Sequence, residues 1–273
     1  MPDSENVRAC IFCGSGLTNR SREHVFPKWL LEELDLKKTG VHAAHHLRDE
    51  SGGIRVEPES VRELTLGQMF EGRVCSGCNN GWMSELEDSS KPILVDLIRG
   101  RRRIAQLDSD ESLLVGRWAV KTAYTLNSSS NFPIKVPESH LRSLFEHRSR
   151  LPWAVAVVGA EVRFTDFAWF QSTVWMLCGP DNLTLNIAPL MNTRSYKIGL
   201  HFGGLILVTA WHSIPKWLMM FWSGVQTGVW PWKGECGWHS DPVGILDSNP
   251  PELSVCAHVS EIKLVHHRYL SKK

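Results

Sequence analysis

Cys75-Ser76-Gly77-Cys78-Asn79-Asn80 repeats, after an intervening segment of 61 residues, the Cys-x-x-Cys spacing of Cys10-Ile11-Phe12-Cys13. Two such pairs supply the four thiolates of a tetrahedral zinc site, which leaves no position for water or substrate and is therefore structural. Gly14 permits the positive φ that a tight cysteine knuckle needs. The N-terminus, Met1-Pro2-Asp3-Ser4-Glu5, has neither a basic start nor an apolar core. A cytoplasmic, reducing setting is expected, in which the seven cysteines are not a disulfide framework. Cys178, Cys236 and Cys256 stand alone and read as small buried hydrophobes.

Between the knuckles lies Arg22-Glu23-His24-Val25-Phe26-Pro27, read as a short strand closed by Pro27. Asn79 opens a helical stretch to Glu87, asparagine being a favoured N-cap. These residue types suit phosphodiester hydrolysis. A neutral imidazole such as that of His24 can take a proton from water. A hard cation must neutralise the phosphate, and the oxygens of Glu23 and Asn79 suit Mg²⁺ or Mn²⁺. Consecutive residues of a regular strand point to opposite faces. Glu23 and His24 therefore serve one phosphate only if the strand twists or ends there, as Pro27 allows.

Taken together, Cys10-x-x-Cys13, Glu23-His24-Val25-Phe26-Pro27 and Cys75-x-x-Cys78-Asn79 resemble the HNH, or His-Me finger, endonucleases of the four-cysteine zinc subtype. The resemblance covers residues 8–90. It implies that His24 is the general base, that Glu23 and Asn79 hold a catalytic Mg²⁺ or Mn²⁺, and that Cys10, Cys13, Cys75 and Cys78 hold structural Zn²⁺. It also implies DNA as substrate. The family's acidic ligand is usually Asp, so Glu23 sets its carboxylate one methylene further out.

Further outward the signals weaken. Arg99, Arg101, Arg102 and Arg103 form the only dense basic run, at the expected end of a helix over Pro92–Arg103. Cations suit a helix C-terminus, and they can also grip phosphates. With Arg20 and Arg22 beside His24, the residues Arg101, Arg102 and Arg103 are the candidate nucleic-acid contacts. His42, His45 and His46 read as surface residues of a polar loop or short hairpin over residues 37–60, and Glu85 and Glu87 as a solvated helix face or an added metal ligand.

The whole chain has 273 residues, 42% of them hydrophobic and 22% charged, which suits a folded protein rather than a disordered one. The net charge of +1 excludes a uniformly basic nucleic-acid coat. The longest apolar stretch, Phe202 to Trp211, is about half the ~20 residues of a spanning helix, so no membrane segment is expected. Of twelve tryptophans only Trp29 and Trp82 precede residue 100, so the two ends are built differently.

After residue 105 we expect a helix over Glu111–Leu126 with a stripe of Leu114 and Trp118, extended by Val115, Ala119 and Leu126, and a second over Pro137–His147. Strands then follow at Trp153–Val158, Val162–Phe170, Ser172–Cys178, Leu183–Ala188, Tyr196–His201 and Leu205–Trp211. Most of the later tryptophans read as core; Trp230-Pro231-Trp232 and Trp238 are the ones expected to be exposed. The architecture expected is α+β: residues 1–105 a zinc-stapled ββα-metal nuclease module, and residues 106–273 a helix-plus-antiparallel-sheet domain. The function expected is a metal-dependent endonuclease acting on DNA, RNA not excluded. The alternative is a non-catalytic zinc-stabilised module that binds nucleic acid or protein on the same scaffold.

Overall fold

The computed structural model describes residues 9–17, 21–41, 44–48, 54–58, 64–132, 134–153, 155–172, 195–213, 217–221, 226–230 and 262–266. It mixes helix and sheet. The first knuckle is a tight turn in which Gly14, at φ +71°, donates to the Cys10 carbonyl. Strand β1 (Glu23–His24) pairs antiparallel with β4 (Phe70–Glu71), Glu23 opposite Glu71 and His24 opposite Phe70. Between them lie helix α1 (Lys28–Glu33), started by Pro27, and the hairpin β2 (Ala44–Arg48) and β3 (Ile54–Pro58). The segment expected as loop or short hairpin is thus a hairpin.

The second knuckle forms a single helical turn, α2 (Ser76–Cys78), capped by the Cys75 side chain. A wider turn over Asn79–Met83 leads into helix α3 (Ser84–Ile98). Two separate helices were expected here. Instead one helix runs through Pro92, which removes one helical hydrogen bond while Leu94, Leu97 and Ile98 bury the same face beyond it. Gly100, at φ +65°, ends it, and Arg101 N–H returns to the Asp96 carbonyl.

Helix α4 (Ser109–Ser129) is capped by Asp108, which accepts from the Asp110 and Glu111 amides. Every residue from Val115 to Asn127 is buried. The stripe read from the sequence is therefore too narrow, because α4 is enclosed on all sides, by α3, β4, α5 (Glu138–Glu146) and the sheet that follows. That sheet is antiparallel, in the order β6 (Ser195–His212), β5 (Ala156–Ser172), β8 (Gln226–Trp230). Strand β7 (Trp217–Phe221) pairs with β9 (Ile262–His266).

Four of the short strands expected merge into β5 and β6, which continue through a register shift between Glu161 and Asp166. Gly203 serves that irregularity at φ +59°, with the Ile98 carbonyl 2.9 Å from where a Cβ would stand. Gly203→Ala is expected to cost about 1–3 kcal/mol, read as a lower urea midpoint; an unchanged midpoint would show that this backbone relaxes freely. Trp153 was expected in a strand but is 83% exposed, because β5 begins only at Ala156. The expected strands over 173–178 and 183–188, and Cys178, Pro231, Trp232, Cys236, Trp238 and Cys256, lie outside the described residues.

One hydrophobic core runs across residue 105. Phe26, two residues after His24, sits in it, with ring centroids 5.0 Å from Phe167 and 6.0 Å from Phe202. Trp118 of α4 lies 5.8 Å from Phe202 and 6.1 Å from Trp29. The hairpin that carries Glu23 and His24 is thus anchored in side chains of the second half. No described helix is long and apolar enough to cross a membrane.

Candidate metal centre and nuclease site

The two knuckles are tied by their backbones: Ile11 N–H donates to the Arg73 carbonyl, and Cys75 N–H to the Cys10 sulfur. The Sγ atoms of Cys10, Cys13, Cys75 and Cys78 lie within 4.8 Å of one another, with 3.6 Å between Cys13 and Cys75. A tetrahedral Zn–S length of 2.3 Å implies sulfur separations of about 3.8 Å, so this donor set fits a metal ion such as zinc. Sulfurs of the group lie within hydrogen-bonding distance of one another. A bond from Cys78 holds the Cys10 thiol down to about 4 against the opposing effect of burial. The same bond pushes Cys78 up, and burial pushes Cys75 up. A cation bound here would displace the thiol protons. Phe12 and Trp82 pack beside the cluster, ring centroids 5.3 Å apart, and Arg142 of α5 donates to the Cys13 carbonyl.

On the β1–β4 hairpin the strand alternation holds. His24 and Arg22 share one face with Phe70: the His24 ring is 4.4 Å from that of Phe70, and the Arg22 guanidinium 4.8 Å above it. Arg22 is exposed and His24 half-buried, with its Nδ1 enclosed and unpartnered. Burial lowers the His24 pKa below 6.5, and Lys28, Lys37, Lys121 and Arg22 add to the shift, so the imidazole is neutral at pH 7. A neutral imidazole can accept a proton at one ring nitrogen, and the enclosed Nδ1 is out of reach of water.

Glu23 points the other way, into the protein. Its Oε1 accepts from the Lys121 ammonium at 2.6 Å, and Lys121 also reaches Glu87 Oε1 at 2.5 Å. The Lys121 side chain is fully enclosed, while those of Glu23 and Glu87 are 7% and 21% exposed. Burial raises the Glu23 pKa, and the ammonium only partly offsets this. Burial works against the charge of Lys121, but its two carboxylates prevail and raise its pKa. Glu71, opposite Glu23, is buried too and accepts from Arg73, which also binds Ser128 of α4. Asn79 is half-buried, its amide donating to the Cys75 carbonyl; no hydrogen bond joins it to Glu23 or His24.

The structure therefore brings the four cysteines together and puts Arg22 beside His24. Glu23 and His24 stand on opposite faces of the hairpin. Of the basic run, Arg99 pairs with Glu33, Arg101 with Asp96 at 2.7 Å, and Arg102 makes a two-pronged pair with Glu111 at 2.6 and 2.5 Å. These pairs join α1, α3 and α4; among the described residues Arg103 is exposed and has no ion pair. Glu85 is exposed and pairs with Arg148 at 3.1 Å. Arg20, His42 and the side chains of His45 and His46 lie outside what is described.

Lys121 is the residue missed from the sequence. Between Ser112 and Ser130 only it and Arg117 carry charge, and both are buried. A charge inside an apolar helix needs a partner, which is the signal that points to Lys121. Removing it strands a buried carboxylate. Lys121→Met is expected to cost about 3–5 kcal/mol at neutral pH. The folded-state pKa of Glu23, already raised, would rise further. Stability tied to a raised pKa is present below the unfolded carboxylate value and lost as pH rises through the folded one. The deficit of Lys121→Met in urea unfolding should therefore shrink from about pH 7.5 to about pH 5; a constant deficit would contradict the ion-pair account.

Comparison of the chain with protein-family models, with curated proteins and with solved structures finds no match.

Proposed function

We propose that this chain is a metal-dependent HNH-type endonuclease that hydrolyses DNA phosphodiester bonds with His24 as its general base. The observation that carries the reading is His24 itself: a neutral, half-buried imidazole beside the exposed Arg22, on a two-stranded hairpin that leads through a cysteine knuckle into a helix. Zn²⁺ on Cys10, Cys13, Cys75 and Cys78 would hold hairpin and helix in register. His24 takes the proton of the attacking water. Arg22, exposed on the same face, and Arg103 contact the phosphates, joined by Arg101 once its exposed and therefore weak pair with Asp96 opens. Mg²⁺ or Mn²⁺ would supply positive charge to the phosphate in the transition state; Asn79 offers a hard oxygen donor for it, whereas Glu23, turned to the opposite face and paired with Lys121, is not free to hold it.

The Lys121 ion pair on Glu23 favours a second reading, a zinc-stabilised module that binds nucleic acid or protein without cutting it. Matched single-stranded DNA, duplex DNA and RNA, each incubated with Mg²⁺ or Mn²⁺ and with EDTA, separate the two. Cleavage of DNA that stops in EDTA supports the nuclease. Cleavage of RNA alone would move the substrate class, and binding without cleavage would establish the second reading.

A further inference from the structure

Glu23 comes from β1 and Glu87 from α3, and their carboxylates converge on one point, where the ammonium of α4's Lys121 sits. The three groups together carry one net negative charge. Without the ammonium, two carboxylates would share a site from which water is largely excluded, which is costly. The position thus demands a cation. Oxygens of two carboxylates from different elements are also what a hard divalent ion takes as ligands. Such an ion would leave the pair neutral, but it cannot sit there while the Nζ lies 2.6 Å from Glu23. The ammonium has no easy exit, because α4 is buried from Val115 to Asn127 and its Arg117, one turn earlier, binds the carbonyl of Leu144 in α5 and that of Arg150 beyond it.

We propose that Lys121 is a resident cation on Glu23 and Glu87, and that it and a divalent ion are mutually exclusive occupants of this carboxylate pair. Lys121 is a positioning residue in this account: it sets the direction of Glu23 and makes loading of an ion there weak. The second half of the chain thereby controls metal affinity in the first. The inference does not depend on nuclease activity, since it concerns occupancy alone.

The test uses Mn²⁺ as probe on the full zinc-loaded chain, following the loss of the free-ion signal by electron paramagnetic resonance, without nucleic acid. The parent chain is expected to bind Mn²⁺ at Glu23 only in the millimolar range. Lys121→Gln should gain a site roughly tenfold tighter or better, and adding Glu23→Gln should remove it. Equal affinity in parent and Lys121→Gln would overturn the proposal, as would tight parental binding abolished by Glu23→Gln. If Lys121→Gln does not fold alone, the outcome is still decisive. Folding restored by millimolar Mn²⁺ supports exchange of one cation for the other, whereas a chain that stays unfolded shows that a divalent ion cannot replace the ammonium.

Discussion

Cys78→Ser is expected to release the metal and loosen the first half of the protein. Cys78 is 2% exposed and bonds to Cys10, which is equally buried, so the serine hydroxyl would stand among sulfurs with no cation to hold them. The remaining three thiols bind zinc more weakly, and a structural zinc site contributes its binding energy directly to folding. Here the knuckles are also tied by the Ile11–Arg73 bond and by the packing of Phe12 on Trp82, so they keep part of their order. The net loss is put at about 3 kcal/mol or more. Zinc content should fall from one ion per chain toward none, and the melting midpoint should fall with it. Zinc retained at full stoichiometry with an unchanged midpoint would exclude the four-cysteine site.

His24→Ala is the second large effect, and it should be of the opposite kind. The side chain is half-buried and its ring contact, with Phe70, stays within the β1–β4 hairpin, whose backbone pairing it does not supply, so stability and zinc content should change little. Cleavage should fall by a factor of about 10²–10⁴, the range a general base supplies. The depressed pKa of His24 adds a pH signature. Its neutral form persists below the ordinary imidazole value of 6.5, so the acid limb of the cleavage profile should lie under 6.5. A limb at or above 6.5 would assign the titrating group elsewhere.

What could be read from the sequence follows from range. The cysteine pairs are legible because each knuckle is local and its spacing is chemical. β1 and α5 are legible for the same reason, being set by Pro27, Pro137 and short apolar patterns. The placement of Glu23 was not, because its partner stands 98 residues away. A strand's alternation says that Glu23 and His24 part, but only tertiary packing says which of them faces α4. The same holds for the arginine run: its charges are plain in the sequence, and their engagement by Glu33, Asp96 and Glu111 is not. Pro92 misled because a proline within a helix costs one bond, which the buried face beyond it can offset.

The lesson for the site is that its two acidic-and-basic neighbours differ in kind. His24 sits where reagents can arrive, on a surface with Arg22. Glu23 sits where they cannot, in a salt-bridged interior shared with the second half of the chain. An account in which residues 106–273 are a detachable appendage does not accommodate Lys121, Trp118 or Phe202, each of which touches the hairpin or the residues beside it.

The most direct test of the central claim is incubation of supercoiled plasmid with zinc-loaded parent protein and with zinc-loaded His24→Ala, each in millimolar Mn²⁺ or Mg²⁺ and in EDTA. The account predicts nicked or linear DNA only with the parent protein and only with the divalent ion. Cleavage by His24→Ala at the parental rate, or no cleavage by the parent at any ion concentration, would contradict it.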